Sequence, residues 1–366
     1  MSETFICSHC GYRYDVEEMN QFDGSVLCEN CYNEETVVCE HCGTRLWEDN
    51  SVGSDIVLCE DCFQDYYVNC SDCGQTIHND NANYLDDDDY PYCCNCYEQR
   101  CSQEIIHSYN FKPEPIFYGD GDRYFGVELE IDVGGQDDSN AEILADIANT
   151  ADEKLIYIKR DGSLNDGMEI VTHPMSLDYH LDEMPWESVM HKAVKMGYRS
   201  HKTTTCGLHI HVNRTAFGAN LEEQDESISR VLFFVERFWQ ELLKFSRRTE
   251  VQMTRWAARY GIKENPKATL DNAKKNRSGR YACVNLTNYH TIEFRIFRGT
   301  LKYSTLVATL QLVNKICDIA ISMSDEEITA LNWCDFVSGI EETELINYLK
   351  ERRLYVNEPV ECEEEV

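Results

Sequence analysis

Long apolar runs are missing from this sequence. The apolar stretch over residues 316–323 is short and carries Asp318, far from the roughly 20 apolar residues that a membrane span needs. The opening MSETFICSHC lacks the basic segment and apolar core of a secretory leader. Positive charge is scarce: 33 Lys and Arg face 66 Asp and Glu, for a formal net charge of −33. Such a chain repels phosphate backbones, which argues against nucleic acid as a partner. There is no G-x-x-x-x-G-K phosphate loop, since GDGDRYFG has the glycines without the lysine. Nor does any serine sit in a nucleophile elbow. These absences lead us to expect a soluble, cytoplasmic protein without a membrane partner.

The chain does have cysteines, 19 of them. Three repeats fill the first hundred residues. They read CSHCGYRY with LCENCY, CEHCGTRL with LCEDCF, and CSDCGQTI with YCCNCY. Their first cysteines are 7, 39 and 70, a tandem period of 31 to 32 residues. Each repeat offers two C-x2-C knuckles: Cys7/Cys10 with Cys28/Cys31, Cys39/Cys42 with Cys59/Cys62, and Cys70/Cys73 with Cys93/Cys96. Two such knuckles supply the four thiolates of a closed, tetrahedral zinc site, so three structural Zn2+ ions are expected in zinc-ribbon or treble-clef-like modules. Pairing across repeats is the alternative. Cys94 could compete with Cys93, and Cys101 is spare. Residues 1–101 carry 3 Lys/Arg against 22 Asp/Glu, deepened by the run 86–89. A module this acidic suits protein docking or scaffolding, or serves as a folding staple.

Residues 102–122 read as a connection, with Lys112-Pro113-Glu114-Pro115 extended and Gly119-Asp120-Gly121-Asp122 a turn cluster. Residues 123–358 mix strand and helix patterns, and 359–366 form an acidic tail. FGVELEID alternates, with Val127, Leu129 and Ile131 on one face and Glu128, Glu130 and Asp132 on the other. GMEIVTHP, GLHIHV and TIEFRIFRG are three further strands. In the last, strict alternation puts Glu293, Arg295 and Phe297 on one face and Phe294, Ile296 and Arg298 on the other. Two apolar stripes at helical spacing run through Ile228, Val231, Leu232, Val235, Phe238, Trp239 and Leu242, and through Leu306, Leu310, Val313, Ile316 and Ile321. We read both as core. The expected class is α+β, a sheet with helices on its apolar face.

The other face is weighted to ion-binding groups. Neighbouring carboxylates repel unless a cation lies between them. Glutamates with an imidazole suit Mg2+ or Mn2+, and such ions serve phosphoryl transfer. Residues 244–302 hold 14 Lys/Arg against 4 Asp/Glu, a basic island and candidate anion site. Cys206, beside Gly207, reads as a packed thiol rather than a nucleophile.

In order, FGVELEID, KRDGSLNDGMEIVTHP, CGLHIHVNR and TIEFRIFRGTL resemble the motifs of the amidoligase family, which is similar to glutamine synthetase and the glutamate–cysteine ligases. The resemblance covers about residues 123–325. It implies a curved antiparallel, glutamine-synthetase-like sheet and ATP-dependent joining of a carboxylate to an amine through an acyl phosphate. It also implies metal ligands at Glu128, Glu130, Glu169, His211 and Glu293, with His209 the alternative histidine. Catalytic roles fall to Arg295, Arg298, Asp161 and Arg280. Nucleotide contacts fall to Ser163, Arg277, Asn285 and His209. A peptide or protein substrate docked by the zinc module, with an amine donor, is the expected partner. The competing expectation is a zinc-array adaptor whose ligase-like domain is inactive.

Overall fold

The structure, a computed structural model, describes residues 4–15, 19–85, 89–100, 104–275 and 279–355. Arg277, Cys101, residues 86–88 of the acidic run and the tail 359–366 lie outside the described residues. The chain divides into two compact units, Met1–Ser102 with Asn110–Glu114, and Gln103–Tyr109 with Pro115–Val366.

In the first unit each repeat is a small hairpin followed by a seven-residue helix. The hairpin strands Thr36–Val38 and Arg45–Trp47 flank the Cys39/Cys42 knuckle, and Tyr67–Asn69 with Thr76–His78 flank Cys70/Cys73. The first repeat has an equivalent pair, Thr4–Ile6 with Arg13–Asp15. The second knuckle of each repeat lies at the start of the helices Glu29–Glu35, Glu60–Tyr66 and Cys94–Arg100. A glycine follows each first knuckle at positive φ, 76° at Gly11, 75° at Gly43 and 77° at Gly74, which suits the tight turn only glycine makes cheaply. Adjacent repeats touch: Trp47 Nε1 donates to Asp23 at 2.9 Å, and Ser54 N donates to Thr76 Oγ1 at 2.8 Å. A stacked array gains stability from such neighbour contacts.

The second unit is built on a seven-stranded sheet. Its strands are β1 (Ile106–His107), β2 (Phe125–Ile131), β3 (Ile156–Lys159), β4 (Met168–Thr172), β5 (Gly207–Asn213), β6 (Val284–Asn285) and β7 (Thr291–Arg298). The spatial order is β6-β7-β5-β2-β4-β3-β1. Neighbours are antiparallel except β1, which lies parallel to β3. The sheet is therefore mixed, where the sequence suggested a purely antiparallel one. The segment 102–122 supplies β1 and, through Tyr118, a bridge to Met175.

Alternation sets the faces. Val127, Leu129, Ile131, Met168, Ile170, Leu208, Ile210 and Val212 are all fully buried in one apolar cluster with the helices. Each such side chain contributes roughly 1.5–3 kcal/mol. The first sequence stripe forms two helices rather than one, α1 (Leu221–Arg237) and α2 (Trp239–Ser246), broken at Phe238. Asn220 caps α1 by accepting from the N–H groups of Glu222 and Glu223. The second stripe is α3 (Tyr303–Ser322). Leu306, Leu310, Val313 and Ile316 are buried, but Ile321 is 38% exposed and Ala320 takes the core position. Two turns beyond Val313 is residue 320, so the stripe ends there. By length and composition α3 is apolar enough to cross a membrane, at mean hydropathy 1.3, yet 67% of that stretch is buried within the protein.

Candidate functional site

The register of the sheet collects the polar side chains into rungs. Lys159 pairs with Glu169, and Glu169 with Glu130. Glu128 pairs with His209. Gly126, His211, Glu293 and Asn285 align across β2, β5, β7 and β6. Directly opposed side chains lie within reach of one another, so four glutamates and two histidines from four strands share one patch.

Glu128 is the hub. Its Oε2 lies 3.1 Å from His209 Nδ1 and its Oε1 lies 3.2 Å from His211 Nε2. His209 Nδ1 is also 3.6 Å from Glu293 Oε1, and its Nε2 is 3.8 Å from Glu130 Oε1. Ligand groups result here, among them Glu128–His211–Glu293 and Glu128–Glu169–His209, each with ligand atoms within 4.8 Å of one another. The sequence left open which histidine would join an ion site. Each joins its own group, and Glu128 belongs to both.

Supports surround these ligands. Asn285 Nδ2 donates to Glu293 Oε2 at 2.8 Å, while its Oδ1 accepts from Thr287. The side chain of Asn285 is thus buried behind Glu293. His211 Nδ1 lies 3.1 Å from Thr291 Oγ1. Gly207 N donates to the Glu130 carboxylate. A Cβ on Gly207 would stand 2.6 Å from both Arg248 Nη2 and His209 Nε2, so the bare backbone is what lets Glu130, His209 and Arg248 converge. Arg295 donates to Glu293.

The electrostatics show a patch short of positive charge. Burial pushes Glu169 well above the ordinary carboxylate range, with Glu128 and Glu130 adding to it against Lys159, 3.8 Å away. Burial raises Glu130 as well, Asp161 adds, and His209 opposes. Burial also works on Glu128, but His211 and His209 outweigh it and hold this carboxyl well below its usual value. Glu293 ends low because Arg295 and His211 overcome its burial. His211 is raised: burial opposes, and Glu128 and Glu293 prevail. Side chains on the sheet thus compensate two of the four glutamates and leave Glu130 and Glu169 under-compensated. A divalent cation would supply the missing charge, and oxygen donors with one imidazole in each group would suit Mg2+ or Mn2+.

The remaining sequence candidates take varied places. Asp161 Oδ1 accepts from Ser163 N at 2.5 Å, closing the turn after β3. Arg280 donates to Tyr109 and, at 3.0 Å, to Tyr281. Lys159 Nζ lies 5.5 Å from the Tyr109 ring, so Tyr109 stands between Lys159 and Arg280. Arg298 is a correction. A register shift between Leu208 and Ile210 inserts an extra residue in β7, so Phe297 turns to the core beside Phe245 and Arg298 comes opposite Gly207. A bulge reverses alternation in this way. Asp132, on the acidic face by pattern, accepts from the N–H groups of Val133 (2.8 Å), Asn165 (3.2 Å) and Asp166 (2.8 Å), and from Thr205 Oγ1 (2.7 Å). It anchors loops rather than joining the patch. Sequence reasoning missed Tyr109 and Arg248. Lys159 stood within reach, heading the quoted KRDGS.

The four-cysteine sets close within single repeats, each with its sulfur atoms within 4.8 Å of one another. Cys10–Cys28, Cys42–Cys59 and Cys73–Cys93 sulfur separations are 3.9, 3.8 and 3.8 Å. Four sulfurs about 2.3 Å from one zinc ion stand roughly 3.8 Å apart, so the donor sets fit a metal. Cys94 turns elsewhere, its Sγ 3.9 Å from Glu114.

An α+β unit with a carboxylate–histidine patch on one sheet face, beside arginines, defines the class. The model of the family described as "Putative amidoligase enzyme" matches residues 136–317, just under half of the chain, so this segment is similar to that family. The match contains Glu169, His209, His211, Glu293 and Arg295 and begins after β2. No curated protein matches the chain. Among solved structures, the bifunctional glutathione synthetase from Pasteurella multocida is similar at 14% identity and TM-score 0.38, covering 63% of this chain. The chain spans 46% of the length of that protein.

Proposed function

We propose that the second unit is an ATP-dependent carboxylate–amine ligase with a glutamine-synthetase-like sheet, and that Glu128, Glu130, Glu169, His209, His211 and Glu293 hold two divalent ions. One observation carries the reading: two ligand groups share Glu128 on a sheet face that also bears Arg295. The match of residues 136–317 to the amidoligase family model supports the reaction class.

In this reaction a carboxylate oxygen of the substrate attacks the γ-phosphorus of ATP, and ADP leaves. The amine nitrogen then attacks the acyl carbon, phosphate leaves, and the nitrogen gives up a proton as the amide forms. Divalent ions held by Glu128, His211 and Glu293 and by Glu128, Glu169 and His209 would neutralise charge on the phosphoryl group. Arg295, 15% exposed, presents a guanidinium beside Glu293 that suits a phosphate oxygen. Asn285 and Thr291 orient Glu293 and His211. Asp161, Ser163 and Arg280 stand at the rim as nucleotide or substrate contacts. No protein nucleophile is needed, and burial holds the Cys206 thiol up at about 12, poorly suited to act as one.

Three Zn2+ ions in the cysteine sets make the first unit a closed docking array for a peptide or protein substrate. Cysteines kept as metal ligands rather than disulfides suit a reducing, cytoplasmic compartment. The test is turnover of the full chain with ATP, Mg2+ and pooled acidic peptides and amines. ADP release that needs both a carboxylate and an amine, with carboxylate 18O recovered in phosphate, is expected. ADP release that ignores the amine would mark a hydrolase instead. No release with any pool would leave the adaptor reading.

A further inference from the structure

A second charged feature lies outside the carboxylate patch. Lys244, Arg247, Arg248, Arg298, Arg352 and His201 line a cleft of about 650 Å3 in the second unit. In a chain of net charge −33, five permanent cations meet here. Among the described residues none of the five is within ion-pair distance of a carboxylate. Their donors go to neutral acceptors instead. Arg298 donates to the carbonyls of Thr203 (3.1 Å) and Arg247 (3.4 Å). Arg352 donates to the Lys244 carbonyl at 2.9 Å, Lys244 to that of Arg353 at 3.0 Å, and Arg248 to that of Phe297 at 3.1 Å. Carbonyl bonds fix the side chains in place without cancelling their charge.

Two buried donors are left over. Arg247 can only donate, so His201 Nε2 accepts from it at 2.9 Å and the ring proton of neutral His201 sits on Nδ1. Burial first, then Arg247 and Arg298, hold His201 down at about 4, so neutral is its form at pH 7. That Nδ1 is buried without a hydrogen-bond partner, and so is Arg298 Nε. An orphaned buried donor costs about 1–3 kcal/mol. Arg247 adds strain, sitting at φ 63°, a left-handed conformation a non-glycine residue adopts at a cost of order 1–3 kcal/mol. Converging cations and spare donors, with Gln240 the one neutral amide and no carboxylate in the lining, describe a receptor for oxygen anions.

The cleft adjoins the reaction patch. Arg248 lines it, yet its Nη2 reaches the Gly207 backbone whose N–H is bonded to Glu130. We propose that the cleft is an oxyanion subsite that anchors a multiply anionic part of the substrate, phosphates or clustered carboxylates, beside the carboxylate–histidine patch. Its assignment to the substrate rests on the ligase reading above, whereas anion binding itself does not.

The test is calorimetric titration of the full chain, in divalent-free buffer, with tripolyphosphate in one arm and a tetraglutamate peptide in the other. Binding in at least one arm is expected, weakened tenfold or more by Lys244→Glu with Arg352→Glu. Lys263→Glu with Lys267→Glu, which makes the same charge change outside the cleft, sets the baseline. Binding in the first arm alone identifies phosphate as the anchored group, and binding in the second alone identifies carboxylates. Unchanged thermal unfolding and recovery of affinity in Lys244→Glu with Arg352 restored keep misfolding apart from lost recognition. Failure of both ligands to bind, or equal weakening by the two double variants, overturns the subsite. Failure of ADP release with anion binding intact would overturn the ligase reading alone.

Discussion

His180 should make the second unit acid-sensitive by a calculable amount. It is fully buried between β2 and Trp186. Its Nε2–H donates to the Phe125 carbonyl at 3.0 Å, and its Nδ1 accepts from Trp186 Nε1 at 3.3 Å. Both nitrogens are therefore used by the neutral ring, and a proton on Nδ1 would face another donor. Burial is the main cause that brings His180 down to about 4, against a smaller upward pull from the Phe125 carbonyl. An unfolded histidine titrates near 6.5. Between these values the unfolded chain binds more protons than the folded one, so stability is lost as pH falls from 6.5 towards 4. The linkage gives about 2 kcal/mol at pH 5, approaching about 3.4 kcal/mol below pH 4. Glutamine can donate to Phe125 and accept from Trp186, but it cannot titrate. His180→Gln should cost roughly 1–3 kcal/mol at pH 7 and remove about 2 kcal/mol of the pH 7-to-5 loss. Urea denaturation followed by tryptophan fluorescence, run on both proteins at the two pH values, measures the difference. His107 and His173, each also near 4 through burial, are common to both proteins and cancel. An identical pH dependence in the two would refute the reasoning.

Other predictions concern the metal sites. The full chain should carry three zinc ions by elemental analysis, and Cys28→Ala should carry two. A count that does not fall by one would contradict closure within repeats. Asn285→Ala frees Glu293 from its 2.8 Å support and should weaken Mn2+ binding about 10–100-fold with little loss of melting temperature, read by calorimetry and thermal unfolding. Unaltered affinity would show that Glu293 needs no orientation. Gly207→Ala puts a Cβ 2.6 Å from His209 Nε2 and Arg248 Nη2, so Mn2+ and tripolyphosphate should both bind more weakly. Loss of neither would show that the two sites do not meet at this backbone.

Much of this arrangement is local and therefore readable in sequence. C-x2-C spacing and a 31-to-32-residue period define the cysteine sets, because a knuckle is a single turn. Alternation in β2 and β5 assigns Glu128, Glu130, His209 and His211 to one face, because a strand has period two. The errors fall where a neighbour overrides a period. The bulge in β7 depends on pairing with β5 and reverses Phe297 and Arg298. The break at Phe238 splits an unbroken apolar stripe into α1 and α2. Asp132 shares its pattern with Glu128 and Glu130, and only the loops folded over it reveal a structural role. The basic cleft joins residue 201, residues between 240 and 298, and residue 352. No spacing rule links such separations, although the excess of basic residues over 244–302 marked four of its five cations.

The shared ligand Glu128 offers the most direct test. Mn2+ binding to the full chain, measured with a non-hydrolysable ATP analogue, should show two protein-held ions. Glu293→Ala should remove one, Glu169→Ala the other, and Glu128→Ala both, because Glu128 belongs to both of these ligand groups. A Glu128→Ala protein that keeps as much Mn2+ as either single-group variant would contradict the account.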